Sequence, residues 1–197
     1  APDTVGTVTP TAGNAQVALS WSAPSNGGSS ITDYVIQYST DNSSWSTFSD
    51  GTSTGTTATV TGLTNGQQYY FKVAAVNSVG IGSYSSSATA TPMTTPSQII
   101  ISSIERTANA ATLIWSAPSN GGSSITDYTI KYSSNNGNTW NVFVDGTSTQ
   151  TTATVTGLDE CNGYTFKVSA TNAKGNGSAS ANTDGVKSLH ASNNHDY

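Results

Sequence analysis

The sequence predicts an all-β protein made of two tandem, seven-stranded antiparallel β-sandwiches, and three observations carry that prediction. First, the chain repeats itself: residues 21–34 read WSAPSNGGSSITDY and residues 115–128 read the same fourteen residues. Second, apolar and polar residues alternate with the period of half-buried strands. Third, Gly, Asn, Asp, Ser and Pro clusters punctuate the alternating runs at short intervals and no helical stretch intervenes.

The offset between copies is 94 residues at the identical segment and 95 from Trp45 and Trp140 onward, so copy two has one extra residue between Tyr132 and Trp140. A period this long marks domains rather than solenoid repeats. The 197 residues therefore divide into a first domain over 1–92, a short linker over 93–96, a second domain over 97–187 and a polar tail over 188–197. Pro92-Met93-Thr94-Thr95-Pro96 predicts an extended, semi-rigid joint. The alternation stops after Val186, so the tail is expected to be frayed or ordered by a partner.

Taken in order, the first strand is polar in copy one, over 4–9, and aliphatic in copy two, at Ile99, Ile100 and Ile101. In the second strand Val17, Leu19 and Trp21 alternate with Ala18, Ser20 and Ser22, matched by Ala111, Leu113 and Trp115. Tyr34, Ile36 and Tyr38 define the third strand, matched by Tyr128, Ile130 and Tyr132. Thr-Val runs at 57–61 and 152–156 follow, and then Tyr69, Phe71, Val73 and Ala75, matched by Tyr164, Phe166, Val168 and Ala170. Domains of this size bury only about 60–65 % of their unfolded surface, so their few large residues must be central.

In each copy the Trp of the second strand (Trp21, Trp115) precedes a proline (Pro24, Pro118) and a Tyr-x-Ile-x-Tyr strand. Gly62-Leu63 and Gly157-Leu158 come next, ahead of Tyr69 and Tyr164. The closing pattern Tyr-x-Phe-Lys-Val-x-Ala-x-Asn-x-x-Gly-x-Gly spans 69–82 and 164–177. This ordered set resembles the fibronectin type III domain, of the kind found in microbial and viral proteins, and the resemblance covers nearly the whole chain. It implies an immunoglobulin-like sandwich. Trp21, Leu63, Tyr69, Trp115, Leu158 and Tyr164 are then structural core, and each corner Tyr hydroxyl is placed to satisfy a backbone group before its strand.

Composition excludes several functions. Six Lys and Arg residues, against eleven Asp and Glu, cannot form the basic stripe that phosphate backbones require, so no nucleic acid is expected. Purely aliphatic runs such as Ile99–Ile101 reach only three or four residues, far short of the about 18 residues of a membrane span, so no membrane insertion is expected. Cys161 is the single cysteine and no intramolecular disulfide can form. The start at Ala1-Pro2-Asp3 reads as a processed or trimmed end.

Catalytic chemistry is not expected. The two histidines, His190 and His195, both fall in the tail, so no Ser or Cys has a base beside it, and a spacing of five suits no shared helical face for a metal. Asn26-Gly27-Gly28 and Asn120-Gly121-Gly122 lack the Lys and helix of a phosphate loop and read as turns. Asp33, Asp127, Asp50-Gly51 and Asp145-Gly146 read as strand-edge and turn residues rather than paired catalytic carboxylates. The chain is accordingly read as a non-enzyme with no cofactor and no metal.

Asn42-Ser43-Ser44 and Asn176-Gly177-Ser178 match the glycan acceptor pattern, which makes Asn42 and Asn176 candidate glycosylation sites if the chain passes an export route. The differences between the copies point to interfaces. On outward positions copy one has Val35, Tyr70, Ala74 and Val76 where copy two has Thr129, Thr165, Ser169 and Thr171, while copy two has Ile114 in place of Ser20 and the aliphatic Ile100. Scattered surface hydrophobes are normal; the sharper reading is a pair of protein-contact faces. The resemblance implies a secreted, cell-surface or virion-surface module that spaces, adheres or assembles, with protein partners and self-association into a filament or array. The alternative is a spacer or carbohydrate-contacting pair from a secreted polysaccharide hydrolase.

Overall fold

The computed structural model of the chain describes residues 1–185, so the tail at 188–197 and both histidines lie outside the described residues. The chain divides between Thr94 and Thr95 into two compact units, and each is a two-sheet antiparallel β-sandwich without helices among the described residues.

Unit 1 contains β1 (Thr9–Gly13), β2 (Gln16–Ser20), β3 (Ile31–Ser39), β4 (Ser46–Phe48), β5 (Thr57–Thr61), β6 (Tyr69–Asn77), β7 (Gly80–Ile81) and β8 (Ala88–Ala90). Its sheets run β1-β2-β5 and β4-β3-β6-β7, with β8 also on β6. The period-2 pattern sets the register: Val17 faces Val60 and Leu19 faces Ala58 across β2 and β5, while Ile36 faces Val73 and Tyr38 faces Phe71 across β3 and β6. Inward residues from both sheets form one core around Trp21, Tyr34, Ile36, Val60, Leu63 and Phe71. The Trp21 and Tyr34 rings meet edge to face at 5.2 Å, an arrangement the aromatic quadrupoles favour.

Unit 2 contains β9 (Ile101–Arg106), β10 (Ala110–Trp115), β11 (Asp127–Ser133), β12 (Asn141–Phe143), β13 (Thr152–Thr156), β14 (Thr165–Asn172) and β15 (Gly175–Asn176). Its sheets run β13-β10-β9 and β12-β11-β14-β15, and its own core surrounds Trp115, Tyr128, Ile130, Val155, Leu158 and Phe166. Trp115 and Tyr128 repeat the edge contact at 5.3 Å.

Three strand expectations differ from the structure. The first strand of copy two starts at Ile101, so Ile99 and Ile100 precede it. The first strand of copy one starts at Thr9, not Thr4; Val5 and Val8 ahead of it nonetheless belong to the buried core of unit 1. The seventh strand of copy one is split into β7 and β8. Between them Ser85 bonds β6 twice: its N–H donates to Val73 O at 2.9 Å and its hydroxyl accepts from Val73 N at 3.1 Å. Ser180 does the same to Val168 in unit 2. A buried hydroxyl thus replaces a ladder carbonyl, and the backbone amide stays satisfied where the strand is interrupted.

The identical Gly-rich segments are turns. Gly27 and Gly28 have φ of 66° and 87°, left-handed values that glycine adopts without penalty, and Asn26 Oδ1 accepts from Gly28 N at 2.9 Å. Asn77, the buried Asn of the closing pattern, then donates through Nδ2 to Asn26 O at 2.7 Å and Ser29 O at 3.1 Å. In unit 2 Asn172 donates to Asn120 O at 2.7 Å. Each loop is thus tied through its main-chain carbonyls to the end of the sixth strand by one asparagine.

Candidate interaction surfaces

The corner tyrosines are built as hydrogen-bond acceptors. Leu63 and Tyr69 are both buried, and Tyr69 Oη accepts from Thr64 N at 3.1 Å. Tyr164 Oη accepts from Asp159 N at the same distance, beneath the buried Leu158. Arg106 lies over the Tyr164 ring at 5.2 Å and donates to the carbonyls of Thr107, Ala110 and Asp159 at 3.0–3.1 Å. The lone arginine is therefore committed to loop carbonyls.

On the outer face of the five-stranded sheet of unit 1, Val35 and Ala74 are direct register partners and Val76 sits opposite Asp33. Val35, Tyr70 and Val76 are half-buried. Ala74 corrects the outward reading: it is fully buried. Its methyl group is flanked along β6 by Lys72 and Val76 and faces Val35, so larger neighbours cover it. Nor is the face continuous, because Lys72 stands on β6 between Tyr70 and Ala74. Its ammonium lies 4.0 Å from the Trp45 ring and 4.7 Å from the Tyr84 ring, a cation held between two aromatic faces.

Unit 2 repeats half of this arrangement. Lys167 Nζ lies 4.0 Å from the Trp140 ring, but Ala179 stands where unit 1 has Tyr84, and a pocket of about 200 Å³ opens among Thr129, Lys131, Lys167, Ser169, Asn176 and Ala179. On the opposite sheet Ile114 is 38 % exposed, and Ile100, just before β9, is 79 % exposed; both therefore present aliphatic surface. Thr165, read as outward from sequence, is buried at the start of β14.

Sequence reasoning missed four exposed aliphatics: Val79 and Ile81 in unit 1, Val142 and Val144 in unit 2. Their counterparts are Lys174, Asn176, Thr47 and Ser49, so the comparison between copies held the signal. It also missed the Trp–Lys stacks, whose partners lie 27 positions apart in each unit, with each tryptophan just ahead of β4 or β12.

Both glycan-pattern asparagines are exposed. Asn42 sits at φ 58° in a turn organised by Asp41, whose carboxylate accepts from Ser43 N at 2.8 Å and Ser44 N at 2.7 Å. Those bonds hold the Asp41 carboxyl well below the usual carboxylate range. Asn135 replaces Asp41 in unit 2, accepting from Thr139 N at 2.9 Å, and the extra residue of copy two is absorbed at Asn136 and Gly137, with φ of 56° and 85°. Asn176 lies on β15 and accepts from Thr171 Oγ1.

Asp33 and Asp50 share a shallow depression of about 250 Å³. Burial, with the Asp33 charge adding to it, pushes the Asp50 carboxyl up, while Asp33 accepts from Ser53 N at 3.0 Å. No group of three His, Cys, Asp or Glu side chains that could hold a metal occurs among the described residues. No helix among them is long and apolar enough to cross a membrane.

The sequence model of the fibronectin type III domain matches residues 2–91 and 94–186. Chitinase A1 of Niallia circulans is 37 % identical over 145 residues, 68 % of this chain and 19 % of that protein. Myomesin-2 of Homo sapiens is 30 % identical over 179 residues, 86 % of this chain and 12 % of that protein. The cell adhesion molecule DSCAM of Gallus gallus is 36 % identical over 126 residues, 60 % of this chain and 6 % of that protein. The chain thus spans less than a fifth of each of these relatives.

Proposed function

The chain belongs to the fibronectin type III family, as two complete domains, and from that premise we propose that it is a non-catalytic structural and adhesive module working at a secreted, cell-surface or virion-surface location. It makes its contacts through sheet faces and self-associates into an array or filament. The observation that carries this reading is the complementary asymmetry of the units: half-buried Val35, Tyr70 and Val76 add apolar surface on either side of Lys72 to one outer face of unit 1, while Ile100 and Ile114 are exposed on unit 2. Contacts between unlike patches on neighbouring chains are heterologous, and unless the rotation closes a ring they propagate. Burying a Tyr and a few aliphatics provides several kcal/mol at about 25 cal/mol per Å², which the association entropy of about 4–15 kcal/mol largely offsets, so the contact is marginal alone and requires added strand pairing by an ordered terminus.

Sedimentation velocity of the chain, compared with a Tyr70→Ser, Ile114→Ser double variant, tests it. Assembly lost in the variant supports the reading. A parent that stays monomeric at millimolar concentration, or assemblies indifferent to both changes, overturns it. A second reading, a spacer or carbohydrate-contacting pair from a secreted polysaccharide hydrolase, is supported by the similarity to a chitinase; co-sedimentation with insoluble chitin separates it from the first.

A further inference from the structure

We propose that unit 2 carries a site for a carboxylate-bearing sugar, a hexuronate residue of an acidic polysaccharide, in the pocket formed by β11, β14 and β15 beside Trp140. The inference stands apart from the self-assembly reading and concerns a different surface.

The pocket holds an electrostatic problem that an anion resolves. Lys131 and Lys167 are direct register partners across β11 and β14, and like charges opposite one another in an antiparallel pair are destabilising. None of the residues lining the pocket is acidic. In a chain with only six basic residues against eleven acidic ones, two lysines are thus set opposite one another on adjacent strands, both lining a pocket that no carboxylate lines. The same register position in unit 1 pairs Gln37 with Lys72 and carries no such conflict.

The remaining groups suit a sugar. Thr129 and Ser169 offer hydroxyls. Asn176 accepts from Thr171 Oγ1 through Oδ1, which orients its amide and leaves Nδ2 as a donor. Trp140 seats Lys167 by stacking at 4.0 Å, so one ammonium is presented from a fixed platform rather than a freely rotating stem. A volume of about 200 Å³ lies below the roughly 300–1,000 Å³ of drug-sized sites and suits one ring. Unit 1 shows the closed counterpart: Val35, Gln37, Ala74, Ile81 and Tyr84 replace Thr129, Lys131, Ser169, Asn176 and Ala179, and Tyr84 stands over the Lys72 ammonium. A glycan on Asn176 would cover the pocket, so the two roles of that residue exclude one another.

The test titrates the full chain, produced in a host without N-glycosylation, with tetragalacturonate, and uses maltotetraose and tetraglutamate as matched neutral and peptide probes, read by calorimetry and amide chemical shifts. Tetragalacturonate is expected to bind, to shift amides around Thr129, Lys167 and Asn176, and to weaken with added salt. Lys131→Gln and Ala179→Tyr place in unit 2 residues that unit 1 already has at these positions. The first should weaken binding by about tenfold or more, the loss expected for one charge-assisted bond, and the second should abolish it. Absence of binding, variants that bind like the parent, or equal binding of maltotetraose or tetraglutamate overturns the proposal. Sedimentation of the same samples reads self-assembly separately, so either idea can fail without the other.

Discussion

Replacing Trp115 with alanine should unfold unit 2 selectively. The side chain is 3 % exposed in the centre of its sandwich and meets Tyr128 edge to face at 5.3 Å. Truncating a buried aromatic removes about 150–250 Å² of apolar contact, which at about 25 cal/mol per Å² corresponds to roughly 4–6 kcal/mol. Partial collapse of the site brings the expected loss to about 3–5 kcal/mol. Against a total of about 5–15 kcal/mol for a domain of this size, unit 2 is left marginal or unfolded, with its midpoint lowered by some 12 °C or more. The two cores draw on separate residues, so differential scanning calorimetry should show one transition fall while the other holds, and Trp21→Ala should produce the mirror image. Transitions that move together, or do not move in either variant, would refute both the central placement and the independence of the cores.

Tyr164→Phe should cost unit 2 about 1–2 kcal/mol by chemical denaturation, because it deprives the Asp159 amide of its acceptor without changing the ring's packing. Gly177→Ala should destabilise by about 1–3 kcal/mol, since the added methyl would run into the Pro96 carbonyl; the same change at Gly146, where open space surrounds the added methyl and φ is 78°, should cost only the backbone term of about 1 kcal/mol. The lowered Asp41 pKa has a definite sign: its ionised form is favoured on folding, so its contribution is full above the ordinary value of 3.8 and is lost as the pH falls below it. Asp41→Asn, which copies Asn135 of unit 2, should remove that part of the acid dependence from the thermal midpoint of unit 1 by lowering the midpoint at neutral pH, so that variant and parent converge as the pH falls.

The repeat, the two sandwiches and the identity of the inward residues were legible along the chain because each follows from short-range pattern. Val17, Leu19 and Trp21 alternate with polar neighbours, and a strand with one buried face has no other way to place them. Strand bounds were less legible. The interruption between β7 and β8 depends on the Ser85 hydroxyl reaching Val73, a residue twelve positions away, and nothing local distinguishes that serine from its neighbours Ser83, Ser86 and Ser87.

The surfaces divide in the same way. Sequence alone determined which copy is apolar at which position, because duplication supplies its own control: Val35 against Thr129, Ile114 against Ser20. Only the tertiary structure decided what those differences amount to. It buried Ala74 beneath its neighbours, broke the apolar face with Lys72 between Trp45 and Tyr84, and set Lys131 opposite Lys167 over an open pocket. The physical reason is that exposure and charge pairing are properties of residues brought together from separate parts of the chain, at separations of 12 to 39 positions in these cases, whereas periodicity is written between neighbours.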